Sequence, residues 1–424
     1  MGEVGSGALQ NCSGAVPGRG ALKSMEKTFV EFFAGIGLIH QALAELGWSA
    51  VFANDNDPKK ARVYRENFPG VPFSHLDIRT VPWDSVPKAH LATASFPCID
   101  ISQAGYREGI HGSDSGLVWT FLDCLAALDS AGKKPEFVLL ENVANLLSLH
   151  GGAALDSLLG RLADLGYAFD VVQVDAKHFL PQSRNRVFII GVPRDLCQKA
   201  QFFKDHHVRR YKVREAYMRN PDLPWYFCDF PELPKNSVPL QRILEPLGDA
   251  APEWFNPERL SYFWSLLEID HEKRLRHLMD SGVSATFTAV RRLRRRRKRE
   301  QIFNLRFDGL ASCLRTPKGG SSTQYVVQAE HGKLRVRRLL GIEAARLQGV
   351  CLESSAHPFK LSGTEQDIRF AFGDAVCVPA VNWVVRNSID TILHASDTRR
   401  TPTQLPLLEF NPKPSHASNA TRLP

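Results

Sequence analysis

The chain places a cysteine directly after a proline, in the stretch FPCIDIS at residues 96–102. Pro97 restricts the backbone before Cys98, and the apolar run at residues 91–96 is typical of a buried strand. In open α/β sheets ligands bind at the carboxyl ends of the strands, which is where this thiol would lie. A single cysteine is more often a small core residue than a nucleophile, so Cys98 needs other reactive groups beside it.

Further candidates for catalysis accompany two later strand patterns. Glu141 comes at the end of the run FVLLEN, which places a carboxylate at another strand end. Gln182, Arg184 and Arg186 precede the run VFIIG, and alternate residues of an extended segment share one face. A thiol, a carboxylate and two guanidinium groups can therefore converge. Each also has an ordinary explanation, because strand-end glutamates often cap helices and alternating arginines often form a solvated face.

The segment FAGIGLIH contains Gly35 and Gly37, which permit a tight strand-to-helix turn and close backbone approach to a ligand. Asp55 ends the next strand pattern, where a carboxylate can hold a ribose hydroxyl. His40 stands where the dinucleotide fingerprint has its third glycine, and the helix lacks the P-loop signature. The pattern disfavours NAD and predicts a nucleoside cofactor without a diphosphate, a description that S-adenosylmethionine fits. An ordinary structural turn is the alternative.

The order of strand and helix patterns predicts the fold class. Residues 27–195 alternate strand-like runs with amphipathic helical patterns, which indicates βαβ units and a mainly parallel sheet. Residues 196–335 are rich in proline, aromatic and charged residues and predict a smaller, irregular second domain. Residues 336–395 return to helical patterns and complete the first domain, while residues 1–25 and 396–424 predict disordered tails.

Composition and charge narrow the class of partner. The net charge of +8 suits a polyanionic partner, and eight of the ten residues at 290–299 are arginine or lysine. A disordered basic loop and a nuclear localisation signal are the alternatives for that run. The eight cysteines include no CxxC pair, so no metal site is predicted. The sequence shows no secretion signal and no apolar run of membrane-spanning length, so the expected location is the cytoplasm.

Several short blocks, in this order, resemble the 5-methylcytosine DNA methyltransferase family. FAGIG resembles its cofactor loop, FPCIDIS its nucleophile loop, and ENV and QSRNR its glutamate and arginine motifs; GIEAARLQG and FGDAVCVP resemble its last two blocks. CLRTPKGGSSTQYVV resembles target-domain sequence in some bacterial members. The resemblance covers residues 28–390. It implies a Rossmann-like, S-adenosylmethionine-dependent methyltransferase fold of the α/β class, with a target-recognition domain at residues 196–335.

The resemblance also implies roles for the candidate residues. Cys98 would attack C6 of a flipped-out cytosine, and Glu141 would stabilise the adduct at N3. Arg184 and Arg186 would hold the base and a nearby phosphate, with Arg186 at the cytosine carbonyl. The residues implied for the S-adenosylmethionine site are Phe33, Gly35, Gly37, Asp55, Asp77, Pro97, Asp374 and Ala375. The candidates for DNA contact are Ser102, Gln182, Arg291, Arg295, Arg297, Arg315, Lys318 and Thr323.

Some positions depart from the family's usual pattern. Ile99 follows the cysteine where many members have glutamine, and Asp374 stands where asparagine is usual. The helix after the cofactor loop begins GLIH where GGF is common. None of these changes removes a group that the implied chemistry requires, and together they indicate a subfamily.

The expected function is that of a DNA cytosine-5 methyltransferase, the modification enzyme of a bacterial restriction-modification system, acting as a monomer on double-stranded DNA. A restriction or mismatch-repair endonuclease acting at the same site is the expected second partner. A tRNA cytosine-5 methyltransferase and a catalytically inactive DNA-binding regulator remain as alternatives. A NAD-dependent oxidoreductase is the general alternative for this class of fold.

Overall fold

The computed structural model describes residues 26–97, 116–196, 202–295, 299–316, 322–330, 332–351 and 358–400. The strands are β1 (Thr28–Phe32), β2 (Ser49–Asn54), β3 (Phe73–Ser74), β4 (Leu91–Ala94), β5 (Phe137–Val143), β6 (Tyr167–Asp175), β7 (Asn185–Pro193), β8 (Ala285–Arg295), β9 (Arg299–Arg306), β10 (Gln324–Glu330) and β11 (Lys333–Arg338). The α-helices are α1 (Leu38–Ala44), α2 (Pro58–Asn67), α3 (Leu117–Ser130), α4 (Ala153–Asp164), α5 (Tyr211–Arg219), α6 (Pro257–Ser265), α7 (Ile269–Asp280), α8 (Gly341–Leu347), α9 (Glu365–Asp374), α10 (Val378–Arg386) and α11 (Ile389–Arg400).

The central sheet has the strand order β3-β2-β1-β4-β5-β7-β6. β1 to β5 pair in parallel, whereas β7 pairs antiparallel with both β5 and β6. The parallel strands are buried on both faces, which explains why β4 and β5 read as continuous apolar runs in the sequence. The prediction of an α/β fold with a mainly parallel sheet is confirmed.

Two hydrophobic cores lie on opposite faces of this sheet. Successive residues of β1 point to opposite faces, so Phe29 belongs to one core and Val30 to the other. The first core includes residues of α1, α8 and α10, and the second includes residues of α3 and α4. The helices cover the two faces of the sheet. The edge at the carboxyl ends of the parallel strands is therefore where loops can form a site.

Strands β8 to β11 form a second sheet, which is regular where the sequence predicted an irregular domain. The strands are antiparallel in the order β11-β10-β8-β9, and a separate core containing Phe263 and Phe303 lies against them. Much of the Arg-rich run lies within β8 and β9, with Arg291 opposite Phe303. The strand pattern was hidden from sequence reasoning because arginines occupy positions where alternating apolar residues normally indicate a strand.

The domain boundary predicted at residue 196 lies too early. Residues 202–245 pack on the central sheet: Trp225 belongs to the core with α3 and α4, and Ile243 belongs to the core with α1 and α10. The core of the second sheet instead draws on residues 255–336. We therefore propose that the recognition domain begins near residue 250.

The C-terminal part of the chain differs from two expectations. The tail was expected to be disordered from residue 396, but α11 continues to Arg400; residues 401–424, like residues 1–25, lie outside the described residues. The helical stretch Glu365–Ala395 is long and apolar enough to cross a membrane by length and composition, yet half of its apolar window is buried. It comprises α9, α10 and α11, whose apolar residues contribute to the first core, as is typical of core helices.

The turn between β1 and α1 generates a prediction about Gly37. Its φ of +86° is left-handed, and an added Cβ would lie 2.4 Å from Phe68 and 2.9 Å from Tyr64. We expect Gly37→Ala to lower the free energy of unfolding by about 3 kcal/mol, since strain and overpacking add. Gly47→Ala, at the other end of α1, is the matched control, because its φ is +78° with no atom within 4 Å of the added Cβ.

For Gly47→Ala we expect a loss of about 1 kcal/mol, from backbone strain alone. Urea denaturation of both variants measures the difference. Equal losses would show that Gly37 is needed only for its backbone conformation and not for the packing of α2 against the turn.

Candidate active site

A cavity of about 1020 Å³ opens at the carboxyl ends of the parallel strands. Its wall is built from the residues that follow β1, β2, β3 and β4 and from the end of β5. Residues 184–186, 313–316 and 371–376 complete it from other parts of the chain. The cavity therefore combines the sheet edge where α/β proteins bind ligands with a segment, 313–316, that leads toward the second sheet.

Most residues predicted for the cofactor line this cavity. They are Phe33, Gly35, Asp55, Asp77, Pro97, Asp374 and Ala375. Gly37 does not line it, and its role is the close packing of the turn against α2 described above. The structure thus shows a packing role for Gly37, and its predicted contact with the cofactor stays a prediction.

The turn after β1 leaves room for a ligand against its backbone. Phe33 and Gly35 have left-handed φ values of 54° and 58°, and no atom lies within 4 Å of a Cβ added at Gly35. Asp55 fixes the turn, because its carboxylate accepts the Gly35 N–H at 2.8 Å and the Asp57 N–H at 2.9 Å. An open glycine in the cavity wall fits a nucleoside cofactor that approaches the backbone closely.

Asp77 lines the cavity with its carboxylate already engaged. It accepts hydrogen bonds from Arg79 at Nε (2.9 Å) and Nη2 (2.6 Å), and these bonds hold the pKa of Asp77 below its ordinary value. Leu76 and Ile78 flank it in the same wall. This part of the cavity combines apolar surface with one ionised acceptor, which suits a heterocyclic base bearing an amine.

Asp374 explains one departure from the family's usual pattern. Its carboxylate accepts the Thr316 hydroxyl and, at 3.3 Å, the Lys60 ammonium group. Both partners line the cavity. An asparagine here could accept one of these hydrogen bonds but could not balance the charge of Lys60. Sequence reasoning missed Lys60, since nothing in its local pattern distinguishes it from an ordinary helix-surface lysine.

Glu141 and Arg186 lie together on the catalytic side of the cavity. Arg186 Nε is 3.0 Å from Glu141 Oε1, and Arg186 Nη2 is 3.8 Å from Cys313 Sγ. Glu141 Oε1 is buried and, apart from this ion pair, makes no hydrogen bond to the described residues. The Glu141 side chain, 7% exposed, lines the cavity.

Arg184 lines the cavity but is committed to other contacts. It is 2% exposed and donates to the backbone carbonyls of Leu314 (2.8 Å) and Ala375. Burial and the neighbouring Arg186 lower its pKa. In the structure the group joins two segments of the cavity wall, and its predicted contact with the base or a phosphate stays a prediction.

Gln182 is fully buried and does not face DNA as predicted. Its Nε2 donates to Leu347 O at 2.6 Å, and its Oε1 accepts the Leu314 N–H at 3.1 Å. Gln348, which sequence reasoning missed, donates to Phe372 O and Ala375 O in the same network. The block GIEAARLQG, which contains Gln348, was the available signal, but a block resemblance does not show which side chains are buried.

The predicted nucleophile and several recognition residues fall in segments that the model does not describe. Cys98, Ser102, Arg297 and Lys318 lie outside the described residues. The residue before the cysteine, Pro97, lines the cavity. Sequence reasoning did not single out Asn142, although it is part of the ENV block. Its Nδ2 donates to Phe96 O at 2.9 Å, so it fixes the residues after β4 beside the end of β5.

The described DNA-contact candidates occupy two regions. Arg315 is exposed and lines the cavity. Arg291 is half-buried, and its backbone N–H donates to Thr323 O at 3.0 Å, so both belong to the junction of β8 and β10. Arg295 is at the end of β8. Strand alternation places Arg292, which is exposed, on the face opposite Arg291; sequence reasoning missed it because the strand was not predicted.

A histidine pair that could hold a metal ion lies away from the cavity. His206, His207 and Glu232 offer ligand atoms within 4.8 Å of one another. His207 Nε2, however, accepts the Leu233 N–H at 3.1 Å, and its Nδ1 is 3.2 Å from Glu232. The Nε2 atom is therefore engaged by the backbone, while Nδ1 makes no hydrogen bond to the described residues and is only within ion-pair distance of Glu232.

A buried polar cluster supports the turn after β1 from behind. Tyr64 donates to Glu31 at 3.3 Å and pairs with His40 Nδ1 at 2.9 Å, while the His40 ring stacks on Phe68. Burial raises the pKa of Glu31 to about 8 and lowers that of His40 to about 4. At neutral pH these pKa values correspond to a protonated Glu31 and an uncharged His40 in the folded protein.

The fold and the cavity define an α/β enzyme of the Rossmann-like methyltransferase class. Residues 27–390 match the family model described as C-5 cytosine-specific DNA methylase. The chain therefore belongs to the C-5 cytosine-specific DNA methylase family, and the resemblance noted from its motifs is confirmed. The methyl donor of this family is S-adenosylmethionine.

Individual relatives match shorter parts. The Bacillus subtilis (strain 168) type II methyltransferase M2.BsuMI is 37% identical over 178 residues, 42% of this chain and 45% of the relative. The Haemophilus parahaemolyticus type II methyltransferase M.HhaI is 31% identical over 207 residues, 48% of this chain and 61% of the relative. The chain spans about half the length of the curated relatives it matches.

Solved structures share the fold over a longer range. The S. pombe Dnmt2 methyltransferase has a TM-score of 0.53 at 17% identity, covering 88% of this chain and 100% of that chain. The Entamoeba histolytica methyltransferase EhMeth has a TM-score of 0.55 at 13% identity, covering 87% and 99%. At such identities the likeness concerns the fold alone.

The Glu31 cluster predicts a pH dependence of stability. The ordinary pKa of 4.5 applies to the unfolded chain and about 8 to the folded protein, so the folded state binds the proton more tightly. The contribution of Glu31 to the free energy of unfolding should therefore fall as pH rises from 4.5 to 8, by up to ~1.4 kcal/mol per pH unit. The lowered pKa of His40 acts in the opposite direction between about pH 4 and 6.5, so the contribution of Glu31 is read from the difference between the wild-type protein and the variant. Glu31→Gln should remove that contribution to the slope, as measured by urea denaturation across the range. An unchanged slope would contradict a protonated Glu31.

The contrasting contacts of Arg184 and Arg186 predict different costs for the same substitution. A lysine cannot span the two carbonyls that Arg184 joins, so Arg184→Lys should lower the free energy of unfolding by about 2 kcal/mol. Arg186→Lys is the matched control and should cost less, about 1 kcal/mol, because lysine keeps the charge beside Glu141 and Arg186 does not join two backbone segments. Thermal or urea unfolding tests this, and equal costs would reject the structural assignment of Arg184.

Proposed function

We propose that the chain transfers a methyl group from S-adenosylmethionine to C5 of a flipped-out cytosine within a specific duplex DNA sequence. The observation that carries this proposal is one cavity that contains the open turn at Gly35, the Glu141 carboxylate and Arg186. Pro97, which directly precedes the candidate nucleophile Cys98, lines the same cavity. Family membership supports the choice of cytosine as the reacting base.

The proposed chemistry begins with activation of the base. The Cys98 thiolate attacks C6, and the electrons of the C5–C6 double bond move to C5. Glu141, which lines the cavity beside Arg186, stabilises this adduct at N3. Arg186 donates to the cytosine carbonyl. After C5 accepts a methyl group, loss of the C5 proton and expulsion of Cys98 restore the aromatic ring.

The cofactor would occupy the part of the cavity between Gly35, Asp55 and Asp77. Gly35 allows close approach, Asp55 offers its carboxylate to ribose hydroxyls, and Asp77 accepts from the adenine amine. Asp374 and Ala375 close the far side. When bound, S-adenosylmethionine supplies the electrophilic methyl group.

Target recognition would use the second sheet and the segments that join it to the cavity. Thr288 and Arg292 share one face of β8. Thr288 Oγ1 donates to the carbonyl of Leu310, and Leu310 precedes the cavity-lining segment 313–316 in the chain. Exposed Arg292 and Arg315 are therefore the described cations we favour for phosphate contact. Arg291 and Arg295 keep a supporting role in this proposal, and Ser102, Arg297 and Lys318 remain candidates from the sequence alone.

The biological setting is also part of the proposal. Type II methyltransferases among the relatives support a modification enzyme of a restriction-modification system. Such an enzyme would act in the cytoplasm as a monomer, with an endonuclease that recognises the same site as its functional partner.

The proposed transfer is tested by base-resolution bisulfite sequencing of DNA from cells expressing the chain. We expect one methylated sequence motif, which should disappear with Cys98→Ser because serine lacks a nucleophilic thiolate at neutral pH. Cys351→Ser is the matched control, since Cys351 is half-buried outside the cavity, and it should leave the motif methylated.

Assays with purified protein separate the alternatives. Labelled methyl transfer to duplex DNA but not to tRNA would support the proposal, and the reverse preference would indicate the RNA enzyme. DNA binding without transfer to either substrate, by a folded protein that binds cofactor, would indicate an inactive DNA-binding regulator. Methylation that persists in Cys98→Ser would reject the nucleophile assignment.

A further inference from the structure

A second thiol lies within the cavity, between the two arginines of the QSRNR block. Cys313 Sγ is 3.4 Å from Arg184 Nη1 and 3.8 Å from Arg186 Nη2. Its own S–H is directed at Leu314 O, 3.4 Å away. Cys313 lines the cavity together with Glu141, and the roles proposed above do not use it.

The backbone around this thiol is fixed on both sides. Gln324 of β10 donates to the carbonyl of Cys313 at 3.2 Å, and Gln182 accepts the N–H of Leu314. Arg184 donates to the Leu314 carbonyl at 2.8 Å. The backbone that carries the sulfur is therefore fixed by the second sheet and by the QSRNR block together.

The charges around Cys313 give its position a chemical consequence. Arg184 and Arg186 are adjacent cations, and Glu141 balances only one of them. Burial alone would raise the pKa of the Cys313 thiol, but Arg184, Arg186 and Arg315 outweigh burial and hold it below its ordinary value. The other described cysteines, Cys124, Cys228, Cys351 and Cys377, all have raised pKa values because they are buried.

A second observation is that the polar groups around this thiol are only partly satisfied. The Nε of Arg184 is a buried atom without a hydrogen bond, and Glu141 Oε1 has only the ion pair with Arg186; both residues line the cavity. Cys313 supplies an acceptor to both guanidinium groups.

We propose that Cys313 is a positioning residue, whose sulfur accepts hydrogen bonds from both arginines and thereby holds Arg186 beside Glu141. The expected effect of Cys313 on the rate of methyl transfer rests on the proposed function. The ionisation of its thiol does not, because it can be measured without any methyl transfer. Cys313 would act through Arg186 and would not touch the reacting atoms.

The first test follows alkylation of the Cys98→Ser protein by iodoacetamide between pH 6 and 10, with each cysteine resolved by peptide mass spectrometry. The rate at Cys313 should rise with a midpoint below about 8.5, the value for a free thiol. In an added Arg186→Met variant the midpoint should move upward. Cys351 is the matched internal control and should react with a higher midpoint, as its pKa is raised. A Cys313 midpoint at or above the free-thiol value, or one that ignores Arg186→Met, would overturn the proposal.

The second test compares Cys313→Ala and Cys313→Ser in steady-state methylation of duplex DNA. We expect Cys313→Ala to lower kcat about tenfold with little change in KM for DNA, since a hydrogen bond to a charged group is lost. Cys313→Ser should recover part of the rate, because its hydroxyl accepts but does not ionise, and its pH profile should lack the limb due to the thiol. Unchanged kcat in Cys313→Ala would overturn the positioning role. Absence of methylation by the wild-type protein would reject the proposed function, while the alkylation result would still decide the contact with the arginines.

Discussion

The cavity depends on one buried guanidinium group, that of Arg184. It joins the carbonyl of Leu314 to the carbonyl of Ala375, in two backbone segments that are also linked by the hydrogen bond from Thr316 to Asp374. The packing is tight, since a Cβ added at Gly373 would lie 2.6 Å from the carbonyl carbon of Arg315. A buried arginine that satisfies two carbonyls costs much less than an unpaired buried charge. The segment 313–316 therefore belongs to the cavity wall as firmly as the ends of the strands do.

A second buried arginine links the two sheets. Arg337 of β11 makes a bidentate pair with Glu343 of α8, at 2.7 Å and 2.6 Å, and both side chains are fully buried. Glu343 also accepts the backbone N–H groups of Leu340 and Glu245. Such a pair contributes less to stability than its charge suggests, but its fixed geometry can specify how two elements meet. The GIEAARLQG block thus contributes to assembly of the fold, and its glutamate does no chemistry in the cavity.

Sequence reasoning predicted the central sheet well because each parallel strand is buried on both faces and carries a plain apolar run. It placed Glu141 and Asp55 correctly for the same reason, since strand ends converge at one edge. It could not distinguish Gln182, Arg184 and Arg186, which alternate along one segment, because the distinction depends on residues 314, 347 and 375 that are remote in the chain. The second sheet was missed because arginines conceal the strand pattern. Cys313 and Lys60 have no local signal, since their meaning comes from the charges opposite them.

The segment 311–316 connects recognition with catalysis in a physical sense. Ala311 is bridged to Gln182 and Cys313 is held by Gln324 of the second sheet, while Cys313, Leu314 and Thr316 line the cavity. Thr316 donates a hydrogen bond to Asp374, and Asp374 accepts one from Lys60 of α2. The segment thus contacts the second sheet, the arginine pair and, through Asp374, the Lys60 side of the cavity.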